Sequence, residues 1–76
     1  MKDFNTLVYE HFKITASEVQ DTLSAKDIPE WDSMNYLLFI ADVEKEYNVS
    51  FSMDEVLGAQ TLGDVRVMLR QKSIDL

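Results

Sequence analysis

Hydrophobic residues recur every three or four positions along most of this chain of 76 residues, and no alternating run of β-branched residues is long enough to suggest a sheet. Such spacing is typical of α-helices. In the first segment, from about Asp3 to Phe12, Asp3 is suited to cap a helix because its carboxylate can accept hydrogen bonds from first-turn amides. The residues that share the apolar face of this helix are Phe4, Leu7, Val8, His11 and Phe12.

A long connection follows, from about Lys13 to Asp32. Its apolar residues are irregularly spaced, so we expect them to pin the connection to the core; they are Ile14, Val19, Leu23, Ile28 and Trp31. Pro29 is the only proline and excludes a helix at the residue before it. A connection this long in a compact domain often carries function.

Capping residues delimit the next two predicted helices. The second helix begins at Asp32 or Ser33, runs to about Tyr47 and ends near Asn48, a residue that tolerates the left-handed conformation. The segment Ser52-Met53-Asp54-Glu55 has the pattern of a capping box, which opens a short third helix. We expect Gly58 to stop this short helix.

Thr61-Leu62-Gly63-Asp64 opens the last helix, with Thr61 as its cap and Asp64 in its first turn. Its predicted buried stripe consists of Leu62, Val65, Met68 and Leu69. The predicted fold class is therefore all-α: a small four-helix bundle with one short helix and a long loop between helices 1 and 2. We expect a single domain that spans residues 1–76.

The charge balance narrows the choice of partners. Fourteen acidic and seven basic side chains give a net charge of −7, which argues against nucleic-acid binding and favours attraction to basic protein surfaces. The chain has no cysteine, so the fold depends on packing. No signal peptide follows Met1, and the longest apolar run, from Tyr36 to Ala41, is too short to cross a membrane. We expect a cytoplasmic monomer that does not insert into membranes.

The tripeptide Asp32-Ser33-Met34 is similar to the Asp-Ser-Leu signature of acyl and peptidyl carrier proteins, with Met in place of Leu. The similarity continues along nearly the whole chain, through Met34, Leu37, Ile40, Ala41, Val43, Glu44, Tyr47, Val49 and Phe51, and through Thr61-Leu62-Gly63-Asp64-Val65. The chain thus resembles the acyl carrier protein family.

The resemblance implies a 4'-phosphopantetheine arm attached covalently to Ser33 by a phosphopantetheinyl transferase. Asp32 would help that transferase place its metal ion and coenzyme A, and Met34 would turn inward to anchor the helix. A helix start suits this role, because its free amides and macrodipole favour the negative phosphodiester. The alternative is that Asp32 or Ser33 is simply a helix cap, which is the commonest use of these residues.

By the same resemblance, the protein has no catalytic activity of its own. It would carry acyl or aminoacyl groups as thioesters between a loading enzyme and a downstream synthase or transferase. Because the chain starts at Met1 without a linker, we expect a discrete carrier. The context Glu30-Trp31-Asp32-Ser33-Met34 resembles carriers of amino-acid, polyketide-like or surface-polysaccharide acyl pathways. The sequence does not indicate which acyl or aminoacyl group is carried.

The second helix also suggests a docking surface. At about 100° per residue and with Met34 as zero, an apolar cluster lies between roughly 220° and 340° and contains Leu37, Ile40, Ala41, Glu44 and Tyr47. Phe39, Val43 and Tyr36 extend the apolar surface around to about 140°. The remaining polar stripe contains Asn35, Leu38, Asp42, Lys45 and Glu46, which together with Met34 are the predicted docking residues. Leu38 is the one apolar residue in that stripe, and we expect Leu38→Glu to weaken binding to a dedicated partner enzyme.

Three side chains near the predicted core have structural interpretations. We expect Glu44 to be buried with a hydroxyl or amide partner in the long first loop, because a buried carboxylate needs one. We expect His11 to be packed and hydrogen-bonded, and Trp31 to pack the loop.

Two other classes of function compete with a carrier. An enzyme that uses Ser33 would lack a general base, because the only histidine is His11, on another helix. An acidic helical adaptor that binds a protein partner without a prosthetic group shares the predicted fold and charge. The mass added by a transferase distinguishes this adaptor from a carrier.

Overall fold

The computed structural model describes residues 2–74. Its helices are α1 (Phe4–Phe12), α2 (Ser33–Tyr47), α3 (Met53–Gly58) and α4 (Leu62–Gln71). Within the described residues there is no strand, only an isolated antiparallel bridge between Ser24 and Thr61. The all-α arrangement, with its short third helix and long first connection, is therefore confirmed.

The helix starts lie where the capping residues predicted them. Asp3 accepts a hydrogen bond from the Thr6 amide at 2.8 Å, and capping boxes open α3 at Ser52 and α4 at Thr61. At the other end of α2, Asn48 takes the left-handed conformation, with φ 54° and ψ 50°. These local interactions satisfy amides and carbonyls that a short helix leaves unpaired at its ends.

Two local details differ from expectation. Gly58 is the last residue of α3, but its φ is not positive, so the helix ends without a left-handed residue. The first connection contains a short 3₁₀ helix, Ala16–Glu18, that the apolar spacing did not predict. Its capping box, formed by Thr15 and Glu18, was the available sequence signal for it.

The core forms where the apolar faces of α1, α2 and α4 meet. It consists of Phe4, Leu7, Val8, Phe12, Ile28, Tyr36, Phe39, Ile40, Val43, Val56, Leu62, Val65, Met68 and Leu69. The predicted buried faces of α1 and α4 are confirmed by this set, and the apolar residues of the first loop pack against it as expected. Aromatic rings fill its centre, with Phe39 lying 5.0 Å from Phe12 and 5.9 Å from Phe4 between ring centroids.

The first loop is fastened to the start of α4. The amide of Leu62 donates to the Leu23 carbonyl at 3.0 Å, and the amide of Gly63 donates to the Asp21 carbonyl at 2.9 Å. The Asp21 carboxylate in turn forms an ion pair with Arg66 at 3.0 Å. These contacts hold the loop in one position beside α2.

Tyr36 connects α2 with α3 through a buried hydrogen bond. Its hydroxyl donates to the Val56 carbonyl at 2.7 Å, and burial raises the pKa of this phenol to about 12. Only the neutral phenol can donate this hydrogen bond, so the contact depends on the phenol keeping its proton.

We expect Tyr36→Phe to lower the free energy of unfolding by about 1 to 2 kcal/mol, because the buried Val56 carbonyl loses its donor. The folded pKa lies above the ordinary value of 10.0, so the contribution of the phenol is complete below that pH. It is lost as pH rises towards about 12. Urea unfolding from neutral to alkaline pH measures both effects. The control is Tyr9→Phe, which changes an exposed phenol; equal stability of the two variants would contradict the prediction.

Candidate functional site

Ser33 is the first residue of α2, and its side chain is exposed. Asp32 precedes it in an extended conformation and caps the helix, because its carboxylate accepts from the Asn35 amide at 2.7 Å. Within residues 2–74, the Ser33 hydroxyl forms no hydrogen bond. Asp32 therefore serves as the cap, and Ser33 keeps a free hydroxyl at a fixed point of the helix.

The position of Ser33 suits a phosphate ester. The amides of Ser33 and Met34 have no acceptor in the described part of the chain, since the cap engages the amide of Asn35 instead. Free first-turn amides and the helix dipole favour an anion at this end of α2. The exposed hydroxyl can supply the ester oxygen of a phosphodiester on Ser33, and the two free amides are donors that fit its phosphate.

Asn35 fixes the orientation of this helix start. Its side-chain amide donates to the carbonyl of His11, at the end of α1, and to the carbonyl of Glu30 at 2.8 Å. One side chain therefore joins α1, the first loop and the first turn of α2. Asn35 was predicted as a docking residue, and the structure gives it this internal role as well.

Trp31 packs the end of the first loop, as predicted. Its indole stacks on Phe12 with ring centroids 5.0 Å apart and on Tyr36 at 5.4 Å, with interplanar angles of 8° and 16°. The ring is thus held between the end of α1 and the first turns of α2. This stack supports the backbone that leads into Asp32 and Ser33.

Two adjoining grooves lie next to Ser33. The nearer groove has a volume of about 410 Å³ and is lined by Ala25, Trp31, Asp32, Ser33, Tyr36, Val56, Leu57 and Ala59. The farther one has a volume of about 440 Å³ and is lined by Thr22, Ser24, Ala25, Lys26, Trp31, Ala59, Gln60 and Thr61. They share Ala25, Trp31 and Ala59 and therefore adjoin each other, and we call the pair the Trp31 groove.

The buried side of α2 is only one part of the predicted apolar surface. The buried residues are Tyr36, Phe39, Ile40 and Val43. Met34, which was expected to turn inward, is 75% exposed, and Leu37 is 49% exposed. Leu38 is therefore not an isolated apolar residue on the surface. Met34, Leu37, Leu38 and Ala41 together form an exposed apolar surface, which we call the outer face of α2.

Much of the predicted polar stripe instead faces α1. The Asp42 carboxylate lies 3.0 Å from the His11 ring nitrogen Nε2, and the Glu46 carboxylate accepts from the Lys2 amide at 3.3 Å. The partners of these two side chains are His11 in α1 and Lys2, two residues before the start of α1. Lys45 stays exposed, beside the outer face of α2.

Two other polar side chains have defined partners. His11 is partly buried between Asp42 and the edge of Phe39, which confirms the expectation of a packed and hydrogen-bonded histidine. Glu44 accepts from the backbone amide of Phe51 at 2.8 Å. Its partner is an amide, as predicted, but it lies in the connection between α2 and α3 instead of the first loop. Glu44 is also only partly buried, so the expectation of a buried carboxylate was wrong.

Among residues 2–74, no group of three His, Cys, Asp or Glu side chains could hold a metal ion. None of the described helices is long and apolar enough to span a membrane. No family model, curated protein or solved structure matches this chain.

Proposed function

We propose that this protein is an acyl carrier protein. It carries acyl or aminoacyl groups as thioesters on a 4'-phosphopantetheine arm attached to Ser33 and presents them to partner enzymes. The observation that carries the proposal is the free, exposed hydroxyl of Ser33 at the first position of α2, next to two unengaged amides. The helix order and the long first loop agree with what the sequence resemblance implies.

The proposed attachment requires little of this chain beyond a well-placed hydroxyl. Ser33 Oγ forms a bond to the phosphorus of the pantetheine phosphate of coenzyme A, and the bond from that phosphorus to adenosine bisphosphate breaks. The hydroxyl proton passes to a base of the transferase, which also supplies the metal ion. Asp32 and Asn35 hold the helix start still during this step.

Intact-mass measurement tests the proposal directly. The purified protein is incubated with a broad-specificity phosphopantetheinyl transferase, coenzyme A and magnesium. We expect every chain to gain the mass of a single phosphopantetheine, because one serine has the required position. No gain in mass would contradict the proposal and would favour the acidic adaptor, which binds partners through the same exposed surface without an arm.

Asp32 has two roles in this proposal, which two substitutions separate. Asparagine caps helices about as well as aspartate, whereas alanine loses about 1 kcal/mol of stability. We expect Asp32→Asn to keep the stability of the wild type but to slow modification of Ser33 about tenfold or more, the equivalent of about 1.4 kcal/mol. Asp32→Ala should have both a lower stability and a slower modification of Ser33 than the wild type. Single-turnover modification and thermal unfolding measure the two effects, and a normal rate for Asp32→Asn would show that Asp32 is only a cap.

The outer face of α2 is the proposed docking surface for the loading enzyme. It begins one residue after Ser33, so a partner that reaches the arm meets Met34 and Leu38. Leu38 is 55% exposed, and Lys45 is the charged residue beside it. An apolar surface of this kind favours a partner with a complementary apolar patch.

We expect Leu38→Glu to raise the KM of the loading enzyme for the carrier about tenfold, because a charge at the centre of an apolar contact costs about 1 to 2 kcal/mol. The rate of modification by the transferase should stay within about twofold of the wild type. Val67→Glu is the matched control, since Val67 is an exposed apolar residue on α4. Equal KM values for the two variants would place the docking surface elsewhere.

A further inference from the structure

We propose that the outer face of α2 binds the same face of a second copy of this chain, with the two α2 helices antiparallel. This inference goes beyond the proposed carrier function and does not depend on it. A second copy on this face excludes the loading enzyme, so the two contacts are alternatives. The face consists of Met34, Leu37, Leu38 and Ala41, and Lys45 continues it towards the end of the helix. These positions have the spacing of three and four residues with which a helix presents one side to another helix.

No described residue covers the outer face. Each of Met34, Leu37 and Leu38 is about half exposed or more. The other large exposed apolar side chains are divided among α1, α3 and α4, so α2 carries the largest group of them on a single element. Grouped apolar side chains at a surface indicate a protein interface.

The charges at the two ends of this face complement each other. Lys45 is exposed at one end, and its side chain forms no hydrogen bond or ion pair within residues 2–74. Asp32 lies at the other end, where it lines a depression of about 220 Å³ with Met34, Asn35 and Leu38. Its oxygen Oδ1 caps α2, and no described residue engages Oδ2. A free cation and a free carboxylate oxygen at opposite ends are what a self-complementary contact needs.

These charges define a register in which the apolar residues also meet. A twofold contact pairs each residue with its counterpart reciprocally. Placing Lys45 opposite Asp32 of the second copy brings Leu37 opposite Ala41 of that copy. Leu38 then lies next to the same residue of the second copy, at the twofold axis. The two ion pairs are separated by the length of the face, about 20 Å at about 1.5 Å per residue.

The two charges also lie on the same flank of α2. At about 100° per residue, Leu38 lies about 40° and Lys45 about 20° to one side of Met34. Asp32 borders Met34 and Leu38 and so belongs to this flank. A twofold axis between two facing antiparallel helices keeps each residue on its own flank. Only groups on the same flank can pair across the contact, and Asp32 and Lys45 meet this condition.

The acidic residues of α2 do not favour a basic partner on this face. The Asp42 carboxylate lies against the His11 ring, and the Glu46 carboxylate accepts from the Lys2 amide. Both are therefore directed towards α1 and away from the outer face. What remains on the face is apolar surface with Lys45 and Asp32 at its ends, and a second copy matches all of it.

The net charge of −7 on each copy opposes association. At about 0.15 M ionic strength the Debye length is about 8 Å, so repulsion between distant charges is screened while pairs in contact are screened less. We therefore expect a weak dimer, and the monomer expected from the sequence describes the dilute protein.

Sedimentation equilibrium of the unmodified protein tests the association. At about 0.15 M salt, we expect the average mass to rise from that of one chain towards that of two between about 10 μM and 1 mM, a range that covers weak association. Leu38→Glu should raise the Kd about tenfold or more, because it places two carboxylates together at the centre of the contact. Val67→Glu, which changes an exposed apolar residue on α4, is the matched control and should change the Kd less than about twofold.

A double-mutant cycle tests the register. Lys45→Glu places a carboxylate opposite Asp32 of the second copy and should raise the Kd about tenfold. In the background of Asp32→Asn, which keeps the helix cap, the same change should raise the Kd no more than about threefold. The two residues are about 20 Å apart in one chain, so this coupling arises only through contact between copies. Lys26→Glu, the same change at an exposed lysine of the first loop, is the control for net charge and should have less than about a twofold effect.

Each contrary outcome overturns the inference. An average mass that stays at that of one chain up to about 1 mM shows that the outer face does not bind a second copy. Equal weakening by Leu38→Glu and Val67→Glu places the contact elsewhere. Additive effects of Asp32→Asn and Lys45→Glu exclude the antiparallel register. Because the unmodified protein is used, none of these results bears on attachment of the arm to Ser33, and failure of that attachment leaves the dimer standing.

Discussion

Replacing Ser33 with alanine is expected to abolish attachment of the arm completely while leaving the fold unchanged. Attachment needs an oxygen at this position, and alanine has none. The fold should tolerate the change, because the Ser33 side chain is exposed and forms no hydrogen bond within residues 2–74. Alanine is also the best helix former, so the free energy of unfolding should change by no more than about 0.5 kcal/mol.

The matched control for this variant is Ser50→Ala. Ser50 is also exposed, its side chain has no hydrogen bond in the described part of the chain, and it lies in the connection after α2. Intact mass should show full modification of Ser50→Ala and none of Ser33→Ala, while circular dichroism melts of both overlay that of the wild type. A mass gain in Ser33→Ala would mean that the arm attaches elsewhere and that α2 does not present it.

The local features of the fold were predictable because they depend on residues close together in sequence. A cap satisfies the free amides within one turn, so Asp3, Asp32, Ser52 and Thr61 marked the starts of the four α-helices. The position of Ser33 follows from the same physics, since the residue after an N-cap is the first helical residue. The sequence thus predicted both the helix order and the location of the candidate site.

The rotation of α2 was not predictable from hydrophobicity alone. Apolar residues lie almost all around this helix, so no single arc of the helical wheel identifies the core. Partners on α1 help to decide it: Asp42 meets His11, and Asn35 meets the end of α1. Their pairing depends on tertiary geometry. Once those polar residues face α1, Met34 and Leu37 turn to the surface, where the proposed docking face lies.

The Trp31 groove and the role of Asn35 could not be predicted from the sequence, for a similar reason. Both depend on contacts between segments far apart in the chain, such as the bridge between Ser24 and Thr61. Composition indicated only that Trp31 packs the loop. The close approach of the first loop to α4 creates the groove, and it requires a residue without a side chain at position 63.

Gly63→Ala is expected to destabilise the protein by about 2 to 4 kcal/mol, out of a total of about 4 to 11 kcal/mol for a chain of this length. A methyl group at Gly63 would lie 2.8 Å from the Asp21 Cβ and 2.9 Å from the Asp21 carbonyl oxygen. The loop cannot easily retreat, because that carbonyl accepts from the Gly63 amide and the Asp21 carboxylate is held by Arg66. Any retreat breaks both contacts.

Gly58→Ala is the matched control for Gly63→Ala. Nothing lies within 4 Å of a methyl group at Gly58, and its φ is not positive, so alanine fits without strain. It should leave stability unchanged or raise it by about 0.4 to 1 kcal/mol. Urea unfolding followed by the fluorescence of Trp31 measures both variants, and Gly63→Ala should also shift the native emission because the loop that lines the groove moves. Equal urea midpoints for Gly63→Ala and Gly58→Ala would contradict this prediction. They would mean that the first loop can move away at Asp21 and that the contact of this loop with α4 does not hold the groove in place.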